Sequence, residues 1–192
     1  MILAVSNLKG GTGKTTTAVY LARFLPAMVV DADPQGSALG WSAAAAEEGG
    51  DLGIDVVHLP DPKLAERLPK ADRLVIDCSP RDHRITDAAI AVADLVVIPT
   101  ATTAADMDRT WATLDVAAQL GTPAAVLLVK VRAGTRSLAA TVEALADEHV
   151  TVLEARIPQR EALAVAWGRP LPPEPYGYDL AAAQIKELLH AR

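Results

Sequence analysis

The sequence Lys9-Gly10-Gly11-Thr12-Gly13-Lys14-Thr15-Thr16 is the strongest indication of the fold. It follows an apolar run at residues 2–6 and precedes a helical pattern at residues 15–25. A glycine-rich loop between a strand and a helix lets backbone N–H groups surround phosphate oxygens, while the helix directs its positive end at the same anion. The usual pattern G-x-x-x-x-G-K-[ST] fails at its first glycine, where Leu8 stands. The glycines and the following helix can still bind phosphate in this way. The stretch therefore predicts a phosphate-binding loop rather than an ordinary glycine-rich turn.

Two lysines flank the glycines of this loop. Lys14 places a positive charge where the β and γ phosphates of a nucleotide would lie, and the Thr15 hydroxyl can coordinate Mg²⁺. Lys9, at the entrance, has no task in a loop that only cradles its own phosphates. Its ammonium is either a solvated surface charge or a group that reaches phosphates held by a neighbouring subunit. The loop thus predicts ATP and Mg²⁺ as ligands, with Lys9 and Lys14 as catalytic residues.

Apolar runs alternate with helical patterns along the whole chain, which is typical of βα units in a parallel sheet. A length of 192 residues favours one domain over two. We therefore expect a single α/β domain over residues 1–192, with a doubly wound, mostly parallel sheet and helices on both faces. Further strands are predicted at residues 27–30, 54–59, 73–76, 94–98 (stopped by Pro99), 123–129 and 150–153, and further helices at residues 62–68, 104–120, 137–148 and 179–191.

Three aspartates follow two of the predicted strands. Asp31 and Asp33 come at the end of the second strand, and Asp77 comes at the end of the fourth. Because ligands of parallel sheets gather at the carboxyl ends of strands, these carboxylates should converge with the glycine loop. Asp77 suits a Mg²⁺ site, Asp31 would support the metal, and Asp33 would orient the attacking water. An aspartate in such a place is often only a helix cap, and that alternative stays open.

The composition excludes several other classes of protein. Hydrophobic residues make up 51% of the chain and aromatic residues only 4%, which indicates a core of small aliphatic side chains. A single cysteine, Cys78, excludes an internal disulfide and an iron–sulfur cluster, and the four histidines lack metal-ligand spacing. No signal peptide or apolar run of about 18 residues is present, so we expect a cytoplasmic protein without membrane contact. Trp41, Trp111 and Trp167 are predicted to be packing anchors.

Three motifs carry a resemblance to a known family. The glycine loop, Asp31-Ala32-Asp33-Pro34-Gln35 and Val75-Ile76-Asp77 together closely resemble the ParA/MinD ATPases with their deviant phosphate loop. The short chain is similar to the small, ParF-like type of partition ATPase, over nearly its whole length. The resemblance implies two ATP-bound protomers that enclose the nucleotides, with each Lys9 reaching the partner's phosphates.

The resemblance also implies partners and a cellular role. The dimer would bind DNA without sequence preference, would be associated with the nucleoid, and could form higher assemblies. A ParB/ParG-type centromere-binding adaptor would stimulate slow hydrolysis, which drives plasmid or chromosome segregation. In the family, positions matching Ile157 and Pro158 help to hold adenine, and Lys130 stands where many relatives carry a base-reading asparagine.

Basic residues late in the chain match the family's DNA contacts. Arg136 and Arg160 match in position, with Arg132, Arg156 and Arg169 as neighbours. A net charge of −6 argues against a surface that binds nucleic acid all over, so the expectation is a local patch doubled by dimerisation. Taken alone, each arginine fits a solvated or salt-bridged side chain better than a DNA contact, and only the cluster favours DNA binding.

Three functions remain open from the sequence. The leading one is a DNA-partitioning ATPase, and the second is the same switch positioning a protein cargo on the nucleoid. Sequence does not separate these two, because the adaptor chooses the cargo. The third is a metabolic ATP-dependent synthetase, which would require acid–base groups beyond the Mg·ATP residues, and no such set stands out.

Overall fold

The first strand lies in the middle of the sheet, and the order of the strands reverses there. The computed structural model describes residues 1–191 and contains seven parallel strands in the order β3-β2-β4-β1-β5-β6-β7. The strands are β1 (Ile2–Val5), β2 (Met28–Asp31), β3 (Val56–His58), β4 (Leu74–Asp77), β5 (Leu95–Thr100), β6 (Ala124–Val131) and β7 (Val152–Pro158). The helices are α1 (Lys14–Phe24), α2 (Ser37–Glu47), α3 (Leu64–Arg67), α4 (His83–Val92), α5 (Ala104–Gln119), α6 (Arg136–Asp147), α7 (Glu161–Ala164) and α8 (Tyr178–His190). Sheets of this kind bind their ligands beyond the carboxyl end of the strand where the order reverses.

The register of the central strands brings the predicted site segments to one level. Asp31 on β2 pairs with Asp77 on β4, and Asp77 also pairs with Val5, the last residue of β1. Paired residues of parallel strands lie side by side in the sheet. The two aspartates and the glycine loop that follows β1 therefore begin at the same edge.

Two apolar layers cover the two faces of the sheet. One layer packs α1, α2 and α8 against it through residues such as Leu21, Trp41 and Ile185. The other packs α3, α4, α5 and α6 through residues such as Ile90 and Leu145. The predicted architecture, one α/β sheet with helices on both faces, is confirmed.

Most strand boundaries differ from the predictions by one or two residues, and the ends of β5 and β7 are the most informative. Pro99 does not stop β5, which runs on to Thr100. β1 has ended before this level, so the missing N–H of Pro99 breaks no hydrogen bond to β1, and its carbonyl accepts the Asn7 side chain at 3.0 Å. The predicted strand at 150–153 actually begins at Val152 and extends to Pro158, with irregular register against β6.

Two long helices, α2 and α4, were not predicted. Helix α2 follows Gly36 and has no side-chain cap of its own, so no local signal marks its start. Helix α4 does carry such a signal, because the Asp82 carboxylate accepts the N–H groups of Arg84 and Ile85. The missed helix α4 therefore reflects an overlooked N-cap.

Trp41 and Trp167 differ in their surroundings. Trp41 is 1% exposed and is a packing anchor, as predicted. Trp167 is 57% exposed, so it does not pack into the core. Its indole N–H donates to the Ser37 carbonyl at 3.1 Å, which fastens it to the outside of α2 instead.

Among residues 1–191 no helix is both long and apolar enough to cross a bilayer.

Candidate active site

The loop between β1 and α1 forms an open cradle of backbone. Gly11 and Gly13 have positive φ angles of 76° and 88°, which glycine adopts without strain. A Cβ atom built on Gly10, Gly11 or Gly13 would meet no protein atom within 4 Å, so open space lies beside each of the three. Helix α1 begins at Lys14 without a side-chain cap, which leaves its first N–H groups available to an anion.

Lys14 is buried beside this cradle. The residue is 6% exposed, and its ammonium donates to the Lys9 carbonyl at 2.9 Å. Burial lowers the pKa of Lys14, and the nearby carboxylates of Asp77 and Asp33 act in the opposite direction. A buried ammonium with one carbonyl partner has spare donor capacity, which suits phosphate oxygens.

Asp77 carries a buried carboxyl group beside the glycine cradle. The residue is 1% exposed, and neither carboxyl oxygen has a hydrogen-bond partner among residues 1–191. Burial raises the pKa of Asp77 to about 7, although the nearby Thr15 hydroxyl and Lys14 ammonium favour the charged form. An orphaned buried carboxyl beside a hydroxyl and a phosphate cradle fits a hydrated Mg²⁺.

The donor set also fits Mg²⁺ held together with a nucleotide. Within residues 1–191 no group of three or more His, Cys, Asp or Glu side chains is placed to hold a metal ion alone. Mg²⁺ at nucleotide sites takes one or two protein ligands and fills its shell with water and phosphate oxygens. Thr15 and Asp77 would supply those ligands.

Asp31 holds the backbone that carries Asp33. Its Oδ2 accepts the N–H groups of Ala38 and Leu39, both at 2.9 Å, and its Oδ1 accepts the N–H of Asp33 at 3.2 Å. Burial raises the pKa of Asp31, and these backbone hydrogen bonds partly offset the rise. With both oxygens engaged, Asp31 caps α2 and supports the site from beneath.

Asp33 lies farther out on the same segment and is half-buried. Its Oδ1 accepts the N–H of Gln35 at 3.0 Å and the hydroxyl of Ser79 at 3.3 Å. His58, on β3, bonds to the Asp33 carbonyl at 3.0 Å. Ser79 and His58 were not predicted to contribute here, and only their positions just beyond or at the ends of neighbouring strands could have suggested it.

Lys9 takes part in an ion pair within its own chain. Its ammonium lies 2.5 Å from Oδ1 of Asp106, near the start of α5. Lys9 lines a cavity of about 380 Å³ together with Thr102, Thr103 and Thr135. Thr12, Lys130 and Gln159 line both this cavity and the pocket described next. Sequence reasoning missed Asp106, because nothing local links it to the glycine loop.

A mostly apolar pocket lies next to the cradle. It has a volume of about 220 Å³ and brings the predicted Lys130, Ile157 and Pro158 together with Thr12, Gly13 and Thr16 of the loop. The Lys130 ammonium donates to the Gly11 carbonyl at 2.7 Å. Residues that were not predicted complete the wall: Val129, Leu163, Ala164 and Tyr178. The pocket is suited to a nucleotide base.

The predicted DNA-binding arginines are exposed, but they do not form one cluster. Within residues 1–191, Arg132, Arg136, Arg160 and Arg169 have no acidic partner within 4.0 Å. Arg132 donates to the side chain of Gln159 at 2.7 Å. Gln159 directly precedes Arg160, so Arg132 and Arg160 lie in the same region. The Arg169 carbonyl accepts the indole N–H of Trp41, so Arg169 lies on the side of α2.

Comparisons with known proteins identify the family to which the chain is similar. Residues 3–172 match the family described as the CobQ/CobB/MinD/ParA nucleotide binding domain. Maintenance of carboxysome distribution protein A from Gloeobacter kilaueensis is 39% identical over 176 residues, covering 86% of this chain and 77% of that protein. A plasmid partition protein from Borrelia burgdorferi B31, bound to AMPPNP, gives a TM-score of 0.78 at 18% identity, covering 97% of this chain and 98% of that one.

A second solved structure, an ATP complex of a Cyanothece McdA variant, gives a TM-score of 0.75 at 18% identity, covering 97% of this chain and 96% of the other. At such identities the two structures bear on the fold. The family match and the Gloeobacter relative bear on descent as well. The chain belongs to the ParA/MinD group of the CobQ/CobB/MinD/ParA nucleotide-binding family.

Proposed function

We propose that the protein is a Mg²⁺-dependent ATPase that forms a homodimer when it binds ATP. The observation that carries the ATPase proposal is the Asp77 carboxyl, which has no hydrogen-bond partner in the described part of the chain. It lies at the same edge as the open glycine cradle and the buried Lys14. Family membership and nucleotide-bound structural neighbours support the same ligand. Thr15 and Asp77 hold Mg²⁺, and Asp31 supports it.

Each residue of the site has a separate task in hydrolysis. The backbone of residues 10–16 and the Lys14 ammonium hold the β and γ phosphates, and Mg²⁺ held by Thr15 and Asp77 would neutralise charge on them. Asp33 orients the attacking water, and Lys130, Ile157 and Pro158 hold the base. Lys9 leaves its own chain's Asp106 and stabilises the triphosphate bound by the partner subunit, as a cation supplied in trans does.

The dimer proposal accounts for the cation that the local site does not use. Lys9 borders a cavity lined by hydroxyl groups and faced by the N-terminal ends of α5 and α6. Such surroundings favour an anion. A triphosphate that projects from a second protomer is an anion of this kind, so dimer formation would depend on ATP.

We further propose that the dimer binds DNA without sequence preference, through the four exposed arginines, and that an adaptor triggers hydrolysis. Two cargoes fit this switch. DNA segregation would require a centromere-binding adaptor of the ParB/ParG type, and the Borrelia partition protein shares the fold. A protein cargo is the second candidate, favoured by 39% identity with the Gloeobacter carboxysome distribution protein.

A synthetase of the same fold would need a substrate pocket with its own acid–base groups. The base pocket has mainly apolar walls with Lys130, Arg160 and Gln159 at its rim, and the second cavity contains one carboxylate, already paired with Lys9. Neither cavity offers a free acid–base pair among residues 1–191. These surroundings support the switch over the synthetase.

DNA binding by the wild type, measured with ATP, with ADP and without nucleotide, tests the proposal. Light scattering on the same samples reports the mass. We expect a dimer that binds DNA in a salt-sensitive way only when ATP is present. With ADP or without nucleotide we expect a monomer that does not bind DNA. Lys9→Gln should bind ATP but stay monomeric. DNA binding that is equal in all three states would contradict the switch.

A further inference from the structure

The Asp33 carboxylate is anchored through one of its two oxygens. Its Oδ1 accepts both the N–H of Gln35 and the hydroxyl of Ser79, whereas no group within residues 1–191 donates to Oδ2. A carboxylate fixed at one oxygen directs the other in a constant direction. A residue that orients a water molecule needs this arrangement.

The contact between Asp33 and Ser79 follows from the sheet itself. Asp31 and Asp77 are paired in register, and Asp33 and Ser79 each lie two residues farther along their segments. Side chains two residues apart in extended backbone point to the same side. The ladder also continues past the strand ends, since the N–H of Ala32 donates to the Asp77 carbonyl at 3.0 Å. The register therefore places the Ser79 hydroxyl beside the Asp33 carboxylate.

Ser79 is itself held in place. It is 2% exposed, and its hydroxyl oxygen accepts the N–H of Arg81 at 3.2 Å. Its carbonyl accepts the Thr86 hydroxyl at 2.7 Å, which ties the segment to α4. Because the N–H of Arg81 takes a lone pair of the hydroxyl oxygen, the hydroxyl proton is free to point at Asp33.

We infer that Ser79 is a positioning residue for ATP hydrolysis, whose hydroxyl fixes the Asp33 carboxylate so that Oδ2 faces the attacking water. The inference rests on the proposed function. The hydrogen bond of 3.3 Å is long for a hydroxyl and a carboxylate, and such bonds in ligand-free sites shorten when substrate binds. Ser79 is also two residues from Asp77, so one short segment sets the geometry of both the metal and the water.

The test compares Ser79→Ala, Ser79→Thr and Asp33→Ala for kcat, KM and the ATP concentration that half-dimerises the protein. Ser79→Ala should lower kcat about tenfold, since a misoriented carboxylate holds water poorly, while KM and the dimerisation midpoint stay within about twofold. Ser79→Thr keeps the hydroxyl and should restore kcat to within about threefold. In the Asp33→Ala background, Ser79→Ala should change kcat by less than about twofold, because the coupled partner is gone.

A matched control is Thr122→Val. Thr122 is 7% exposed and lies just before β6, at the amino ends of the strands, and its hydroxyl donates to the Ile90 carbonyl. The substitution should leave kcat unchanged. A Ser79→Ala enzyme with wild-type kcat, or one that loses the same factor with and without Asp33, would overturn the role of Ser79 and leave the proposed function standing. A wild type that neither dimerises with ATP nor hydrolyses it would overturn both.

Discussion

The Lys9 ammonium and the Asp106 carboxylate of the same chain form an ion pair of 2.5 Å. The other Asp106 oxygen accepts the Thr103 hydroxyl at 2.5 Å, so the acceptor is fixed at the start of α5. Burial alone would raise the pKa of Asp106, but hydrogen bonds from Lys9 and Thr103 outweigh burial and hold that pKa below its usual value. Lys9 must leave this partner before it can reach a triphosphate on a second protomer.

Asp106→Asn should therefore favour the dimer. The change removes the charge that retains Lys9 but keeps the side-chain shape, and we expect half-maximal dimerisation at about three- to tenfold lower ATP. Light scattering across an ATP titration measures the midpoint. Asp108→Asn, two residues along and 74% exposed in its side chain, is the matched control and should behave as wild type. A higher midpoint for Asp106→Asn would mean that Asp106 presents Lys9 to the partner instead.

Lys14→Gln should abolish nucleotide binding. The buried ammonium is the main point charge at the cradle, and its loss should weaken affinity for a Mg²⁺-bound, slowly hydrolysed ATP analogue by about 100-fold or more. Calorimetric titration measures the affinity. Lys186→Gln, at an exposed position of α8, serves as control because the contact of its ammonium with the Phe24 carbonyl, at 3.5 Å, is long. Unchanged affinity in Lys14→Gln would refute the assignment of the cradle.

Asp77→Asn should reverse its effect on stability when Mg²⁺ and ATP are added. The folded protein holds a proton on Asp77 up to a pKa of about 7, whereas an unfolded aspartate releases it near pH 4. The unfolded state binds fewer protons between these values, so the free energy of unfolding contributed by Asp77 falls as pH rises from about 4 to about 7. Asparagine stays neutral at both pH values. Without nucleotide, the free energy of unfolding of the variant relative to wild type should therefore rise by about 2–3 kcal/mol from pH 5 to pH 8.

Urea unfolding at the two pH values measures this difference. With Mg²⁺ and ATP the order should invert, because the wild-type carboxylate gains a cation and the variant does not. A difference between the two proteins that does not change with pH would show that Asp77 is charged in the folded state.

The parts of the site that sequence predicted are those that short segments encode. The glycine loop and the three aspartates lie at or just beyond the carboxyl ends of strands, and an apolar run followed by a polar residue marks each strand end. The start of α2 was not predicted because the residue that caps it is Asp31. Asp31 stands seven residues before Ala38, the first residue of the helix whose N–H it accepts. The Lys9–Asp106 pair joins residues 97 positions apart, and no local pattern records such a pairing. Tyr178 reaches the base pocket only because α8 packs on α1 and β7.

Charge reversal at Arg136 and Arg160 should remove DNA binding while leaving ATP-dependent dimerisation intact. Both side chains are exposed, follow the neighbouring strands β6 and β7, and have no acidic partner within 4.0 Å among residues 1–191. If they contact phosphates, the slope of log K against log salt should become shallower by about 2 to 4 for the dimer. Titration of labelled DNA at several salt concentrations, with ATP present, measures both quantities.

The control must change the net charge equally. Lys63→Glu with Arg67→Glu does so at α3, which follows β3, the edge strand opposite β7, and both residues are exposed. If loss of DNA binding came from net charge alone, the α3 pair would weaken binding as much as the Arg136 and Arg160 pair. We expect it to weaken binding by less than about threefold, because exposed charges farther apart than a Debye length of about 10 Å are largely screened. Equal losses in the two double variants would contradict a local patch on the β6–β7 side.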